Sequence, residues 1–281
     1  MIELIKLAFT SDLHLPITPA TAIVDLAGDI AAFKPDAFAV LGDIGESPGH
    51  VKNCLNILKD LLPCPIFVVA GNHDLWLPTN CSSQGDSSNL FHRHLPDLVQ
   101  AIKCIWLEGN GYVLGGIGLV GTIAWYDYSA ADASIQATPE IFARLKRNFN
   151  MDADRVHWAH SDPEFAELVA GPFLATLDRL EADPSIRQTV VFTHVPLLEC
   201  QMCRKPNDAT WSFSNAYFGN LTLGEKVIQR KKVTHIISGH THVGRHAVVK
   251  LTDGRALEAR VLDSQYGKPV WVGIELEGTI P

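Results

Sequence analysis

Five short segments of the chain are mostly apolar and lack the regular alternation of polar and apolar residues that a half-exposed strand shows. Such a pattern is typical of strands that are buried on both faces of a sheet. We therefore predict five buried strands. They are Leu4–Thr10, Ala37–Leu41, Pro65–Ala70, Thr189–Thr193 and Thr234–Ser238.

Segments with helical spacing lie between these strands. Pro19–Lys34 is predicted to be a helix, with Thr18 as its N-cap and proline at the first helical position. Gly49–Leu62 places its apolar residues on one helical face. Ser161-Asp-Pro-Glu164 is a capping-box pattern at the start of a helix that runs towards Asp183. The alternation of strands and helices in the N-terminal part indicates βαβ units with right-handed crossovers.

The C-terminal part of the chain has a different pattern. Two short predicted strands, Ala247–Leu251 and Ala256–Val261, flank the hairpin turn pattern Asp253-Gly254. A final strand is predicted over Val270–Leu276. Because no repeat and no Pro/Gly/Ser-rich linker divides the sequence, we expect residues 1–281 to form a single domain.

The start of the chain, Met1–Thr10, is apolar enough to suggest a signal peptide. Glu3 and Lys6 interrupt it, however, and no small-residue cleavage site follows. We therefore expect this segment to be the first strand.

The composition is that of an ordinary globular protein, with 47% hydrophobic and 19% charged residues. The chain has 23 basic and 31 acidic residues and a net charge of −8 with histidine neutral. This acidic balance argues against a general nucleic-acid binder, which needs a basic surface. No stretch approaches the roughly 18 apolar residues that a membrane-spanning helix requires, so no membrane partner is expected.

The cysteines are too few and too irregularly spaced for a disulfide framework, so a reducing, cytoplasmic location is expected. Two of them form a single Cys-x-x-Cys pair, and a zinc knuckle would need a second pair. Two reduced thiols in a loop are therefore a simpler interpretation than a redox-sensitive pair. The cysteines are Cys54, Cys64, Cys81, Cys104, Cys200 and Cys203.

Polar residues that can bind metal ions follow every one of the five predicted strands. The carboxyl ends of parallel strands meet at one edge of a sheet, where open α/β folds bind ligands, so we expect these residues to converge. The glycines before three of them suit abrupt turns in which a β-carbon would restrict the backbone. The clusters are Asp12-Leu13-His14, Gly42-Asp43, Gly71-Asn72-His73-Asp74, His194 and Gly239-His240-Thr241-His242.

Imidazole and carboxylate side chains predominate in these clusters, and they suit zinc, iron and manganese better than calcium or magnesium alone. The candidate ligands exceed the needs of one ion with an open position, whereas two ions that share one carboxylate fit their number. The candidates are Asp12, His14, Asp43, Asn72, His194, His240 and His242.

The five motifs, in this order, resemble those of the calcineurin-like metallophosphoesterases, and they extend over residues 12 to 242. The resemblance implies an α/β fold built as a four-layer α/β/β/α sandwich, with two facing mixed sheets and helices outside. It also implies two divalent metal ions (manganese, iron or zinc) that share Asp43. One ion would be held by Asp12, His14, Asp43 and His242, and the other by Asp43, Asn72, His194 and His240.

Two such ions about 3.5–4 Å apart would lower the pKa of a bridging water and clamp a phosphoryl oxygen for in-line displacement. The implied reaction is attack of a metal-bridging hydroxide on phosphorus. The ions would outweigh the charges of Asp12 and Asp43, so the site would attract a phosphoester even in an acidic protein. His73 matches the family's catalytic histidine, which stabilises or protonates the leaving oxygen.

Two differences from relatives narrow the substrate. Protein phosphatases of this superfamily follow the shared aspartate with a Val-Asp-Arg-Gly type sequence and have Glu after Asn-His, whereas this chain has Ile44-Gly-Glu46 and Asp74. Small-molecule phosphodiesters or monoesters are therefore the expected substrates. Glu46 is a candidate to orient His73. No tyrosine stands just after Asp43, which argues against the tyrosinate-bound ferric ion of purple acid phosphatases.

Aromatic residues are interspersed in the polar segment Arg204–Leu223, and a second aromatic cluster precedes it. Packing of loops onto the domain is one interpretation. The other is a rim that stacks an organic leaving group such as a nucleobase, with Arg204 and Lys205 meeting a second phosphate. The aromatic residues are Trp211, Phe213, Tyr217 and Phe218, together with Trp125, Tyr126 and Tyr128.

Two other functions stay open. A nuclease would need a basic groove, and the obvious basic runs are only Arg144–Arg147 and Arg230–Lys232. An interaction scaffold with an inactive site would be expected to lose at least one metal ligand, and none is lost. We therefore predict a dinuclear metal-dependent phosphoesterase with a small-molecule substrate.

Overall fold

The computed structural model describes residues 2–78 and 86–279, so that Cys81 lies outside the described residues. Its strands are β1 Ile2–Thr10, β2 Ala37–Leu41, β3 Ile66–Val69, β4 Ile105–Trp106, β5 Gly111–Leu114, β6 Ile117–Thr122, β7 Gln188–Thr193, β8 Val233–Ser238, β9 Arg245–Lys250, β10 Ala256–Val261 and β11 Trp271–Thr279.

The helices lie mostly between these strands along the chain. They are α1 Ala20–Phe33, α2 Pro48–Leu61, α3 Ser87–Asn89, α4 Leu95–Ala101, α5 Pro139–Leu145, α6 Asp152–Arg155, α7 Asp162–Ala182, α8 Ala209–Ser214 and α9 Leu221–Val227. Short 3₁₀ turns occur at His73–Leu75, Lys146–Asn148, Glu199–Gln201 and Asn215–Tyr217, and a π-helical turn at Leu90–His94.

The strands form two mixed sheets. The first has the order β11-β1-β2-β3-β4 and the second β5-β6-β7-β8-β10-β9. In the first sheet β1 to β4 are parallel, and β11 pairs antiparallel with β1. In the second sheet β6, β7, β8 and β10 are parallel, and the edge strands β5 and β9 are antiparallel. All five strands predicted as buried exist, with end points that differ by two residues or fewer.

Apolar side chains fill the space between the two sheets. They also cover the outer face of each sheet. Phe9 of the first sheet meets Phe192 of the second in the central layer, with ring centroids 6.0 Å apart. The outer face of the first sheet packs with residues of α1, α2 and α4, and that of the second with residues of α7 and α9. The four-layer α/β/β/α arrangement is therefore confirmed.

The start of α1 differs from the prediction. The helix begins at Ala20, and Pro19, which has no capping side-chain hydrogen bond, stands at the N-cap. Thr18 is buried, and its Oγ1 accepts a hydrogen bond from Gly267 N at 3.0 Å. The predicted N-cap is wrong because a tertiary contact with the turn before β11 occupies the Thr18 hydroxyl.

The start of α2 is also shifted, by one residue. This helix begins at Pro48, and Ser47 Oγ caps it by accepting a hydrogen bond from His50 N at 3.3 Å.

The capping box at the start of α7 is confirmed. Ser161 Oγ accepts a hydrogen bond from Glu164 N at 3.4 Å, and Glu164 Oε2 accepts one from Ser161 N at 2.8 Å. The C-terminal hairpin also forms, with Gly254 at φ +86° in the turn between β9 and β10.

The first and last strands pair with each other, which joins the two ends of the described chain in one sheet. This pairing supports the single domain over residues 1–281, which stays a prediction. Within residues 2–78 and 86–279, none of the helices has the length and apolar character needed to cross a membrane.

The capping box gives a test of local stability. Replacing Ser161 with Ala should lower the free energy of unfolding by about 1 kcal/mol. The substitution breaks the capping box, in which the backbone N–H groups of Ser161 and Glu164 are both hydrogen-bonded. Chemical denaturation measures this difference. Thr252→Ala in the exposed turn before β10 is the control and should leave the midpoint unchanged; an equal loss in both variants would contradict a capping role.

Candidate metal centre

The loops that follow β1, β2, β7 and β8 are hydrogen-bonded to one another through their backbones. Asp12 N donates to Gly42 O at 3.0 Å, His14 N donates to Asp43 O at 2.8 Å, and Gly239 N donates to His194 O at 3.0 Å. These bonds join loops within each sheet, and two further bonds join the sheets: His194 Nδ1 donates to Leu41 O at 2.9 Å, and His240 N donates to Asp12 Oδ1 at 3.0 Å. The carboxyl ends of strands from both sheets therefore meet at one place, and they bring the predicted polar clusters together.

Left-handed backbone conformations are concentrated in these loops. Asp12, His14, Asp43, His240 and His242 have φ values from 46° to 71°. For residues other than glycine this conformation is uncommon and costs on the order of 1–3 kcal/mol. The surrounding hydrogen bonds hold these turns in place, and such strain is typical of functional sites.

One group of side chains gathers around His14. Its Nε2 lies 3.2 Å from His242 Nε2 and 3.6 Å from Asp43 Oδ2. His242 Nε2 lies 3.7 Å from Asp12 Oδ1. Ser11 Oγ and His240 N donate hydrogen bonds to the buried carboxylate of Asp12, at 2.5 and 3.0 Å, which fixes its orientation.

A second group gathers around Asn72. Its Oδ1 lies 2.9 Å from His194 Nε2 and 3.1 Å from His240 Nδ1. His194 Nε2 is 3.4 Å from Asp43 Oδ1. Asp43 therefore stands between the groups, with one carboxylate oxygen facing each.

The four imidazoles in these groups have one nitrogen towards the centre and the other towards a carbonyl or carboxylate oxygen. Because such oxygens only accept hydrogen bonds, the outer nitrogen carries the proton and the inner nitrogen of a neutral ring has a lone pair. The outer bonds run from His14 Nδ1 to Glu46 Oε1 (3.0 Å), His194 Nδ1 to Leu41 O (2.9 Å), His240 Nε2 to Tyr217 O (3.0 Å) and His242 Nδ1 to Ser264 O (2.7 Å).

Burial keeps most of these rings neutral. It lowers the pKa of His194 to about 3 and shifts the pKa of His14 and His240 below the ordinary value, because a charged imidazole would lose its hydration. Burial also raises the pKa of Asp43 well above its usual range. Burial therefore disfavours the charged form of this carboxyl as it does for the rings.

Three pairs of hydrogen-bond acceptors face each other at short range. Asn72 Nδ2 donates to Asp152 Oδ1 at 2.8 Å, which turns Asn72 Oδ1 towards the lone pairs of His194 and His240. The inner nitrogens of His14 and His242 form the third pair. Such pairs repel unless a cation lies between them, and imidazole, carboxylate and amide ligands suit manganese, iron and zinc. The residues therefore fit the binding of divalent metal ions.

His73 and Glu46 lie beside the first group. Glu46 Oε1 accepts hydrogen bonds from His73 Nδ1 at 2.9 Å and from His14 Nδ1 at 3.0 Å. Burial opposes the charge of Glu46, but these two bonds outweigh it and lower its pKa to about 2. Burial likewise opposes the charge of His73, but Asp43 and Glu46 raise its pKa to about 9. Glu46 therefore contacts His73 in the way expected from the sequence.

Asp74 ties the loop after β2 to the loop after β3. Its buried carboxylate accepts hydrogen bonds from Ile44 N, Gly45 N and Gly71 N at 2.9, 3.1 and 2.8 Å. Burial raises its pKa to about 7, although these bonds oppose the shift. The sequence motif indicates Asp74 only as a difference from protein phosphatases. It does not predict the contacts by which Asp74 joins the two loops, because these contacts depend on the tertiary structure.

The three glycines before the candidate ligands have different roles. Only Gly42 has a positive φ, at +84°. A β-carbon on Gly71 would lie 2.1 Å from Asp43 N, and one on Gly239 would lie 2.5 Å from Ser11 Oγ. The expected abrupt turn is thus found at Gly42, whereas close packing of two loops is the requirement at Gly71 and Gly239.

Tyr266 is a residue at the site that the sequence motifs did not indicate. Its half-exposed ring lies 4.7 Å from the His14 ring and 5.1 Å from the His242 ring, measured between centroids. It belongs to the turn before β11, which also supplies Ser264 O to His242. No local pattern marks this turn, because its contact with the site arises from the pairing of distant strands.

The aromatic residues considered for a substrate rim separate into two sets. Phe218 is half-buried, with its ring 6.0 Å from that of His240 and 5.2 Å from that of Trp211. The other rings pack into the protein interior, as the first interpretation expected. These are Trp125, Tyr126, Tyr128 and Tyr217, which are buried, and Phe213, which packs against Phe142 and Phe149.

The two cations near this segment already have partners. Arg204 donates to both carboxylate oxygens of Glu199, at 2.8 and 2.5 Å, and to Ala130 O at 2.7 Å. Lys205 Nζ lies 3.4 Å from the centroid of the Trp211 ring. Among the described residues, the cysteines are free thiols, including Cys200 and Cys203.

A model of the calcineurin-like phosphoesterase family matches residues 5–244. The chain therefore belongs to this family, and it is a metal-dependent phosphoesterase. No curated protein matches the chain significantly.

Solved structures show the same fold. Phosphopantetheinyl hydrolase from Mycobacterium tuberculosis is similar at 21% identity over 93% of this chain and 90% of that chain, with a TM-score of 0.69. A dimetal phosphatase from Danio rerio is 14% identical over 98% of both chains, with a TM-score of 0.53. A purple acid phosphatase from yellow lupin is 13% identical over 100% of this chain and 46% of that chain, with a TM-score of 0.51.

The contact at Gly71 gives a test of the site's geometry. Gly71→Ala should displace Asp43 and abolish metal retention, because the added β-carbon would overlap the Asp43 backbone. Metal content after dialysis measures the effect. Gly28→Ala is the matched control in α1, where a β-carbon would meet nothing within 4 Å; it should keep the metal and gain about 0.5–1 kcal/mol of stability. Full metal retention in Gly71→Ala would contradict the close approach.

Proposed function

We propose that the chain is a dinuclear metal-dependent hydrolase of small-molecule phosphate esters. The observation that carries this proposal is the set of three acceptor pairs around Asp43, which needs positive charge on both sides of that carboxylate. Asp43 would be the shared ligand. One ion would be held by Asp12, His14, Asp43 and His242, and the second by Asp43, Asn72, His194 and His240.

Two divalent ions, when bound, lower the pKa of a water and polarise a phosphoryl oxygen. The residues of the chain set the charge around them. Asp12 and Asp43 balance only part of the charge of two divalent cations, so the site attracts an anionic phosphoester although the protein has a net charge of −8.

His73 is proposed as the general acid. Glu46 holds its Nδ1, which leaves Nε2 facing the centre, 3.9 Å from Asp43 Oδ2. Trp76 stacks on the ring with centroids 3.5 Å apart and limits its rotation. A protonated His73 can then donate its Nε2 proton to the oxygen that leaves phosphorus.

The walls of the site support an organic phosphoester as the substrate. Tyr266 lies beside His14 and His242, and Phe218 lies on the His240 side, so partly exposed aromatic rings stand at two sides of the centre. The similarity to a phosphopantetheinyl hydrolase agrees with this substrate class. A phosphodiester with an organic arm is the first candidate, and a cytoplasmic location stays part of the proposal.

Three cations of the basic runs that a nuclease could use are paired with acidic residues. Lys146 Nζ lies 2.6 Å from Asp162 Oδ1, and Arg147 Nε lies 2.6 Å from Asp154 Oδ1. Arg230 is similarly paired with Asp178, at 2.9 Å. These pairings favour a small ester over nucleic acid as the substrate.

Metal dependence is the primary test. Metal-free protein, reloaded separately with manganese, iron, zinc or magnesium, should hydrolyse chromogenic phosphate esters with at least one metal. Asp43→Asn should lose this turnover and weaken the binding of both ions, because the shared ligand loses its charge. The faster of a matched monoester and diester identifies the ester class. Protein that binds no metal and shows no turnover would contradict the proposal. That result would favour an interaction scaffold with an inactive site.

The role of His73 has its own test. His73→Ala should lower kcat by about 10²–10⁴-fold, as expected for loss of a general acid, while two ions stay bound. Exposed His94→Ala is the control and should keep wild-type turnover. Loss of metal together with turnover in His73→Ala would show that His73 supports the metal site instead.

A further inference from the structure

Asp152 is a fully buried carboxylate with a complete set of hydrogen-bond partners. Its Oδ1 accepts bonds from Asn72 Nδ2 at 2.8 Å and from Trp76 Nε1 at 2.6 Å. Its Oδ2 accepts a bond from Tyr126 OH at 2.8 Å, and its backbone N donates to Asn150 Oδ1 at 2.7 Å. Both carboxylate oxygens are thus held in one orientation.

The two partners of Oδ1 connect Asp152 to different parts of the site. Asn72 is the proposed ligand of the second ion, and Trp76 stacks on His73 with an interplanar angle of 24°. One oxygen atom therefore fixes a metal ligand directly and the proposed general acid through one intervening ring.

The three side chains that contact the Asp152 carboxylate are all donors, so a negatively charged acceptor suits this position. The ammonium group of Lys146 lies 4.8 Å from the centroid of the Tyr126 ring. Three donors therefore hold the buried carboxylate, and a cation lies beside the ring of one of them.

The orientation of the Asn72 amide decides whether the second ion can bind. With Oδ1 inward, the amide offers a lone pair beside those of His194 and His240. Rotated by half a turn, the amide would direct Nδ2 inward and donate to the same two lone pairs, which would close the site by hydrogen bonding. Only an acceptor on the outer side of the amide opposes this rotation, and Asp152 Oδ1 is that acceptor.

We propose that Asp152 is a positioning residue that keeps the Asn72 amide in its metal-binding orientation and, through Trp76, holds the ring of His73. The inference rests on the proposed dinuclear function and extends it to a residue in a segment that contains none of the five motifs.

Asp152→Asn is the direct test, because the amide keeps the shape of the side chain while a neutral acceptor, which forms the weaker hydrogen bond, replaces the charged acceptor that faces Asn72. The affinity for the second ion should fall by about 10–100-fold, as is common when the outer partner of a metal ligand is lost. Manganese titration followed by calorimetry, with metal content per chain, measures this change. The first ion should stay bound.

Asp162→Asn is the matched control. Asp162 is also buried and accepts bonds from Trp125 Nε1 at 2.9 Å, Tyr128 OH at 2.5 Å and Lys146 Nζ at 2.6 Å. None of these three donors belongs to the proposed metal ligands. This variant should lose stability and still bind two ions with wild-type affinity.

The exchanged pair Asn72→Asp with Asp152→Asn separates positioning from a general structural role. A carboxylate at position 72 can face the metal with one oxygen and accept a bond from an amide at position 152 with the other, so binding of the second ion should be restored. Turnover should recover only in part, because Trp76 Nε1 loses an acceptor. The exchanged pair also keeps the test informative if Asp152→Asn alone fails to fold.

Three results would overturn the inference: two ions bound at wild-type affinity in Asp152→Asn, equal weakening in Asp162→Asn, or no restoration in the exchanged pair. Wild-type protein that binds only one ion would instead overturn the dinuclear function on which the inference rests.

Discussion

The arrangement of this site depends on lone pairs that face each other. Around Asp43, imidazole nitrogens and one amide oxygen face each other at 2.9 to 3.2 Å. Cations among these atoms would remove the repulsion between their lone pairs. The outer hydrogen bonds to carbonyl and carboxylate oxygens are as important as the inner contacts, because they decide which nitrogen of each ring carries a proton.

Two carboxylates outside the proposed ligand set position the two groups of side chains, the one around His14 and the one around Asn72. Glu46 fixes His14 and the Nδ1 side of His73. Asp152 fixes Asn72 and, through Trp76, the face of His73. Glu46 therefore contacts the edge of the His73 ring, and Trp76 contacts its face. The first contact belongs to the group around His14 and the second to the group around Asn72. This arrangement gives one proton donor a defined position relative to both proposed ions.

The backbone around the site is held by packing of loops against loops. Asp74 joins two of these loops through three backbone donors, and Gly71 allows them to touch where a side chain would separate them. These contacts offset the cost of the left-handed residues, and they connect loops that follow different strands. The rigidity of the site is thus a property of the sheet edge as a whole.

The amino-acid sequence by itself determined the buried strands, the polar clusters that follow them and the class of chemistry, because these depend on local patterns: apolar runs, turn glycines and ligand side chains. It also located the contact of Glu46 with His73. Only the tertiary structure decided the roles of Asp152, Tyr266 and Thr18. Asp152 and Asn72 are separated by the first strands of the second sheet, and Tyr266 reaches His14 only because β11 pairs with β1. Contacts made by strand pairing between distant segments leave no periodic trace along a single chain.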